Sequence, residues 1–156
     1  MRKVLTLSLL IEDDRILLAM KKRGFGMGRY NGFGGKVEEN ETIEEGAKRE
    51  VLEESGIQVQ TLEKVGIHEF EFTHDRGNIL EVHVFQVLEY DGDPVETEEM
   101  RPEWFALNAI PYGTMWPDDE YWFPLFLAGK KFRTKFLFGE GDNVLEQEIQ
   151  EVTHID

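Results

Sequence analysis

Three glutamates, Glu50, Glu53 and Glu54, stand three and four residues apart in the segment between Thr42 and Gly56. At the 3.6-residue period of an α-helix this spacing brings their side chains out on one face. Each like-charged neighbour costs an isolated helix roughly 0.2–0.5 kcal/mol, so a face that gathers several carboxylates calls for a compensating charge. A hard divalent cation supplies it: magnesium prefers oxygen ligands, keeps several of its waters and bridges carboxylates to substrate phosphates. Arg49 is the cation beside these acids, and its planar fork suits it to holding a carboxylate in position. Glu41 precedes the helix, where a loop can fold it back toward the same site. Gly34-Gly35 lets the backbone come close enough for a carbonyl oxygen to face a metal ion. A solvated acidic face has the same spacing, and the helix taken alone does not separate the two.

The elements that must position these residues are delimited by local signals. Thr42 with Glu45 three residues on is a capping box, and Gly56 after Ser55 is a stop signal, so a helix is expected over Ile43–Ser55. Val4–Ile11 and Arg15–Lys22, separated by Glu12-Asp13-Asp14, read as two strands joined by a short turn. Gly24 to Gly35 is so rich in glycine that it must be loop or irregular strand. Strands follow near Gly66–Thr73 and Leu80–Tyr90, with Asp75–Asn78 as their turn, and a short strand at Glu103–Leu107. A second helix is expected to begin with Pro117 in its first turn, to place Asp118, Asp119 and Glu120 near the positive end of its dipole, and to run to about Leu127. Pro124 inside it is a candidate kink. Lys131–Phe138 and Val144–Val152 read as a closing pair of strands about Gly139–Asn143. The sum is α+β: one domain over residues 1–156, a mainly β core with two helices packed on it.

Composition narrows the classes of function. Forty per cent of the 156 residues are hydrophobic, eleven of them Phe, which is enough for one core without covalent staples. The absence of cysteine excludes disulfides and thiolate metal sites. Thirty-two acidic against seventeen basic side chains give a formal charge of −15, which repels a duplex phosphate backbone and sets nucleic-acid binding aside. A small anionic ligand remains compatible, held by a metal ion and a few local cations. The apolar run Val4–Ile11 is too short to span a bilayer and carries no small-residue cleavage site. A cytosolic protein with no membrane partner is expected, with a minor nuclear or mitochondrial pool left open. His68, His74, His83 and His154 show no ligand spacing. Taken by themselves, Asn31-Gly32 is a turn dipeptide, Phe70 and Phe72 are alternating core residues of one strand face, and Asp118 and Asp119 start a helix. Lys21-Lys22-Arg23 reads as a solvated strand end, although its place before the glycine-rich stretch suits phosphate contact.

The string from Gly35 to Ile57 as a whole resembles the Nudix box, Gly-x5-Glu-x7-Arg-Glu-U-x-Glu-Glu-x-Gly-U, where U is a bulky aliphatic residue. Gly35, Glu41, Arg49, Glu50, Val51, Glu53, Glu54, Gly56 and Ile57 fill its positions without a departure. The resemblance implies the Nudix fold, a mixed sheet sandwiched between helices with the box as loop–helix–loop. It implies hydrolysis of a nucleoside diphosphate linked to some further group. It also implies that Glu50, Glu53 and Glu54 bind Mg²⁺, with Mn²⁺ able to substitute, and that one of them or a nearby carboxylate activates water. Phosphoryl transfer asks for in-line positioning and neutralisation of the non-bridging oxygens, and metal ions provide both.

Outside the box the chain is similar to the animal MutT-type branch of the family. The similarity lies in Met20–Gly26, Asn31–Val37, Phe70–Phe72, Val82–Phe85, Glu99–Pro102, Met115–Asp119 and Tyr121–Pro124. That resemblance implies a monomer that hydrolyses oxidised purine nucleoside triphosphates, among them 8-oxo-dGTP and 2-hydroxy-dATP, to the monophosphate and pyrophosphate, with water attacking the β-phosphorus. It implies that Asn31, Asp118 and Asp119 meet the base edge and that Trp116 stacks on the purine. Phe25, Phe70, Phe72 and Leu80 would wall the pocket, Thr6 and Lys21 would lie on its floor, and Glu99 would join the metal site from a loop. Tyr30 and Leu80 stand where mammalian members carry Trp and Met, which leaves the preference among modified purines open. The chemistry suits such a ligand. Base–aromatic stacking is worth roughly 1–3 kcal/mol per base. Oxidation at purine C8 turns N7 from an acceptor into an N–H donor, and a carboxyl can accept when ionised or donate when protonated. Two other classes fit parts of the pattern: a Nudix hydrolase for a different linkage, and a catalytically silent module, which would ordinarily have lost box carboxylates that this chain retains.

Overall fold

Apolar residues occupy consecutive positions in the first two strands, Leu9–Ile11 and Ile16–Ala19, as expected of strands covered on both faces. In the computed structural model, which describes residues 1–156, β1 (Arg2–Glu12) and β2 (Arg15–Lys21) accordingly lie inside a mixed eight-stranded sheet. β1 runs parallel to β5 (Ile79–Asp91), which is antiparallel to β4 (Gln58–Phe72). β4 is parallel to β7 (Lys131–Phe138), and β8 (Val144–Val152) closes that side antiparallel to β7. On the other side β2 pairs antiparallel along its length with β6 (Met100–Ala106). No helix is long and apolar enough to cross a membrane.

The pleat divides the core in two. Leu9, Ile16, Leu18 and Val84 join one buried cluster, and Leu10, Leu17, Ala19 and Val87 the other. The first is capped by α2 (Asp119–Leu127), whose Trp122, Phe123 and Phe126 are buried against Phe132 and Phe136 of β7. Burying side chains of this size is worth about 1.5–3 kcal/mol each. The second is capped by α1 (Ile43–Ser55) through Val51, with Phe33 and Ile57. The α+β architecture with a helix on each face is therefore as expected.

One departure from regular pairing creates the room for a site. β1 pairs with β2 only between Leu10–Glu12 and Arg15–Leu17. Beyond that point the two strands part, and the segment after the glycine-rich stretch fills the gap. Its short strand β3 (Tyr30–Asn31) pairs with Ala19 and Met20, while Phe33 and Lys36 bridge to Ser8 and Leu5 of β1. Gly32 and Gly34 are required there: a methyl group at Gly32 would lie 2.6 Å from the Ser8 carbonyl, and one at Gly34 would overlap the Thr6 carbonyl.

α1 has the predicted limits. Glu45 N–H donates to Thr42 Oγ1 (3.0 Å), Thr42 N–H donates to Glu45 Oε1 (2.8 Å), and Gly56 closes the helix at φ 77°. Three expectations need correction. β4 begins at Gln58 rather than near Gly66, because register shifts between Val59 and Gly66 break its alternation, and it ends at Phe72. β6 starts at Met100 rather than Glu103, and Pro102 is tolerated because it has a neighbour on one side only. Pro117 lies outside α2, and Pro124 sits within it without ending it.

Candidate active site

The parting of β1 and β2 opens a cleft of about 260 Å³. Its walls carry Phe70 and Phe72 from β4 and Leu80 from β5, and Thr6 and Lys21 line it from β1 and β2. Asn31, Gly34, Gly35, Glu54, Trp116, Asp118 and Asp119 also border it, and Phe25 stands at its lip, 69% exposed. The residues assigned to base, wall and floor thus come from seven separate segments into one cavity. Phe72 belongs to the core cluster and Phe70 packs against it, while both also form the wall. Asn31 is in strand rather than turn, and its Oδ1 accepts from Gly32 N–H at 2.8 Å.

Four features of this cavity were not anticipated from the sequence. Phe138 joins the wall, stacked on Phe72 at 5.1 Å between ring centroids. Arg29 lies over the Trp116 ring at 4.3 Å and is anchored by Asp142 at 2.8 Å. Asp118 does not cap α2 with its side chain; its Oδ2 accepts from Trp122 Nε1 at 2.9 Å. The four-residue spacing of Asp118 and Trp122 was the available sign. Asp119 Oδ2 is buried with no partner in the protein. Burial pushes the carboxyls of both aspartates upward, and the charge of Asp118 raises Asp119 further.

Of the α1 carboxylates, Glu54 borders the cleft and Glu50 stands against Gly35, which also lines it. Arg49 gathers two of them: its Nη1 donates to Glu50 Oε1 (2.7 Å) and Glu53 Oε2 (3.3 Å), and its Nη2 donates to the Lys36 carbonyl (3.1 Å). Glu41 does not fold back to offer a free carboxylate. It grips Arg49 with both oxygens, at 3.0 and 2.7 Å, and accepts from Glu38 N–H. These hydrogen bonds hold its carboxyl down at about 2. Its place is behind Arg49, setting the guanidinium that sets the acids. Glu54 is buried and accepts from Gly34 N–H at 2.9 Å; burial pushes its carboxyl up to about 8. Burial also raises Glu50, against the pull of Arg49. Glu53 is mostly exposed, and Glu99, in the loop before β6, is held by Lys21 at 2.9 Å.

These donors fit a hard divalent cation. They are all oxygens, Glu50 lies near enough for its charge to raise the buried Glu54, and a Cβ at Gly35 would lie 2.7 Å from the Glu50 carboxyl carbon, so only glycine leaves that carboxylate its place. The Gly35 carbonyl accepts from Thr6 N–H at 2.9 Å and so faces β1. No three acidic or histidine side chains converge into a preformed cage; Arg49 and Lys21 hold the acids instead.

A glutamate-bearing, capped loop–helix–loop packed on a mixed sheet, with Glu54 bordering a cleft, matches what the resemblance of the box implied. The chain belongs to the Nudix family, whose NUDIX domain matches residues 1–126; Nudix hydrolases generally use a divalent metal. More particularly, over 150 residues it is 54% identical to the oxidized purine nucleoside triphosphate hydrolase of Mus musculus and 50% identical to that of Danio rerio. Each alignment covers 96% of both chains. Among solved structures it is similar to the MutT protein of Bacillus halodurans, with a TM-score of 0.83 and 26% identity over 95% of this chain and 97% of that one.

Proposed function

We propose that this protein hydrolyses oxidised purine nucleoside triphosphates, including 8-oxo-dGTP and 2-hydroxy-dATP, to the monophosphate and pyrophosphate with Mg²⁺ as its cofactor and Mn²⁺ as a substitute. The observation that carries this is the joining, in one cleft, of a buried carboxyl pair beside an indole ring to the box carboxylate Glu54. The identity with the mouse and zebrafish relatives supports the same substrate class.

In this account Trp116 stacks on the purine, backed by Arg29, and Phe70, Phe72 and Leu80 exclude water from its faces. Asn31, Asp118 and Asp119 meet the base edge. The two aspartates share one proton: Asp118 is committed to accepting from Trp122 at one oxygen, and Asp119 Oδ2 awaits a ligand. A pair holding one proton both donates and accepts, which suits an edge whose pattern oxidation has changed. Glu50, Glu53, Glu54 and Glu99 would hold the metal, with Gly34 N–H fixing the Glu54 carboxyl. When bound, it supplies charge neutralisation at the phosphate oxygens and a lowered pKa for the attacking water. Arg49 keeps Glu50 and Glu53 oriented, and Glu54 or a neighbouring carboxylate takes the proton of that water.

A competition assay with 8-oxo-dGTP, 2-hydroxy-dATP, O6-methyl-dGTP and undamaged dGTP tests the proposal. Magnesium-dependent release of pyrophosphate, with at least one oxidised purine preferred over dGTP, is expected. Preference for undamaged dGTP, or release of orthophosphate alone, would reject it.

A further inference from the structure

Three consecutive cations end β2 and run into the glycine-rich loop, facing the acids of the loop before β6, and their pairing is unequal. Lys22 is tied to Glu96 at 2.6 Å and to the Thr97 carbonyl at 2.8 Å. Lys21 and Arg23 both go to Glu99. Lys21 Nζ donates to Oε2 at 2.9 Å, and Arg23 Nε and Nη2 donate to Oε1 at 3.3 and 3.1 Å. Each oxygen of Glu99 is therefore already occupied. Lys21 lines the cleft, and Glu99 is close enough to Glu54 for its charge to bear on that carboxyl.

A carboxylate neutralised by two cations is a poor ligand for a third. These pairs are nevertheless easy to exchange, since the side chains of Arg23 and Glu99 are 58% and 40% exposed and such pairs are individually weak. A polyphosphate offers the same cations a denser set of acceptor oxygens, and an arginine fork matches it with two parallel hydrogen bonds. We infer that Glu99 is a shared anchor, occupied by Lys21 and Arg23 in the free protein and vacated when they turn to the polyphosphate. Arg23 is then a phosphate-binding residue whose departure opens Glu99 to the divalent cation. The inference rests on the function proposed above, from which it takes both the triphosphate and the metal. By linkage, nucleotide and cation strengthen each other's binding through the protein, in addition to their direct attraction.

The test is Mn²⁺ binding to the full chain, followed by electron paramagnetic resonance, for wild type, Arg23→Gln and Lys22→Gln. Both variants remove one positive charge at adjacent exposed positions, but only Arg23 holds Glu99. Without nucleotide, Arg23→Gln should tighten Mn²⁺ binding about two- to fivefold, the range expected for one partly exposed ion pair, and Lys22→Gln should leave it unchanged. With a saturating non-hydrolysable triphosphate analogue the advantage of Arg23→Gln should vanish, and the analogue itself should bind that variant several-fold more weakly. Equal shifts in the two variants would show a bulk charge effect and overturn the inference, as would an unchanged affinity for the analogue in Arg23→Gln. Either result in a wild type that still turns over oxidised nucleotides would leave the proposed function standing. A wild type with no metal-dependent turnover on any nucleotide would remove both.

Discussion

Glu54→Gln should separate the stability of this fold from its activity. Glu54 is buried, its carboxyl accepts from Gly34 N–H, and burial raises it from 4.5 to about 8. Between those values the folded protein keeps a proton that the unfolded chain has released. The group therefore lowers stability progressively as pH rises through this window. The slope is about 1.4 kcal/mol per pH unit, or roughly 2–3 kcal/mol between pH 5 and pH 7. Glutamine has the shape of the protonated acid, and its Oε1 can keep the Gly34 hydrogen bond. In urea denaturation of metal-free protein with chelator present, wild type and Glu54→Gln should coincide near pH 5. By pH 7 the variant should be the more stable by roughly 2–3 kcal/mol. Added Mg²⁺ should stabilise wild type, where it takes over the role of the proton, and do much less for the variant. Turnover should be lost in Glu54→Gln at every pH. Parallel pH–stability curves for the two proteins would refute the burial argument, and near-normal turnover in the variant would refute the assignment of Glu54 to the metal site.

Other perturbations have equally definite outcomes. Trp116→Ala removes a stacking surface worth roughly 1–3 kcal/mol, so KM for an oxidised purine triphosphate should rise about 5- to 150-fold with a smaller change in kcat. Arg29→Ala, which strips the cation from the Trp116 face, should raise the same KM only about two- to fivefold. Gly35→Ala places a methyl group against the Glu50 carboxylate; metal affinity should fall about 10–100-fold while circular dichroism shows an intact fold. Thr42→Ala breaks the capping box of α1 and should cost about 1 kcal/mol in urea denaturation.

Local signals made the central element legible. Both ends of α1 follow from Thr42, Glu45 and Gly56, and the existence of β1 and β2 from their apolar residues and the turn between them, because each depends on residues a few positions apart. The first half of β4 was hidden because its bulges destroy the period of two that marks a strand. Asn31-Gly32 carries a strong turn signal, yet Asn31 lies in strand, because the gap between β1 and β2 needs filling; that is a long-range demand which no local propensity encodes. Asp118 and Asp119 do start α2 as their residue type suggests, but the Asp118 side chain leaves the cap unmade because the Trp122 indole offers a buried donor. Side-chain partners distant in sequence were the least visible. The spacing of the box placed Glu41 near Arg49 but could not tell an ion-pair partner from a metal ligand. Nothing in the sequence pairs Lys21 and Arg23 with Glu99, more than seventy residues away.

The most direct test of the central claim is a crystal structure with Mn²⁺ and a non-hydrolysable analogue of an oxidised purine triphosphate, phased to reveal the metal by its anomalous scattering. A metal peak bridging the side chains of Glu50 and Glu54 to phosphate oxygens is the predicted result. The same side chains turned to bulk solvent, with the triphosphate bound elsewhere, would contradict it.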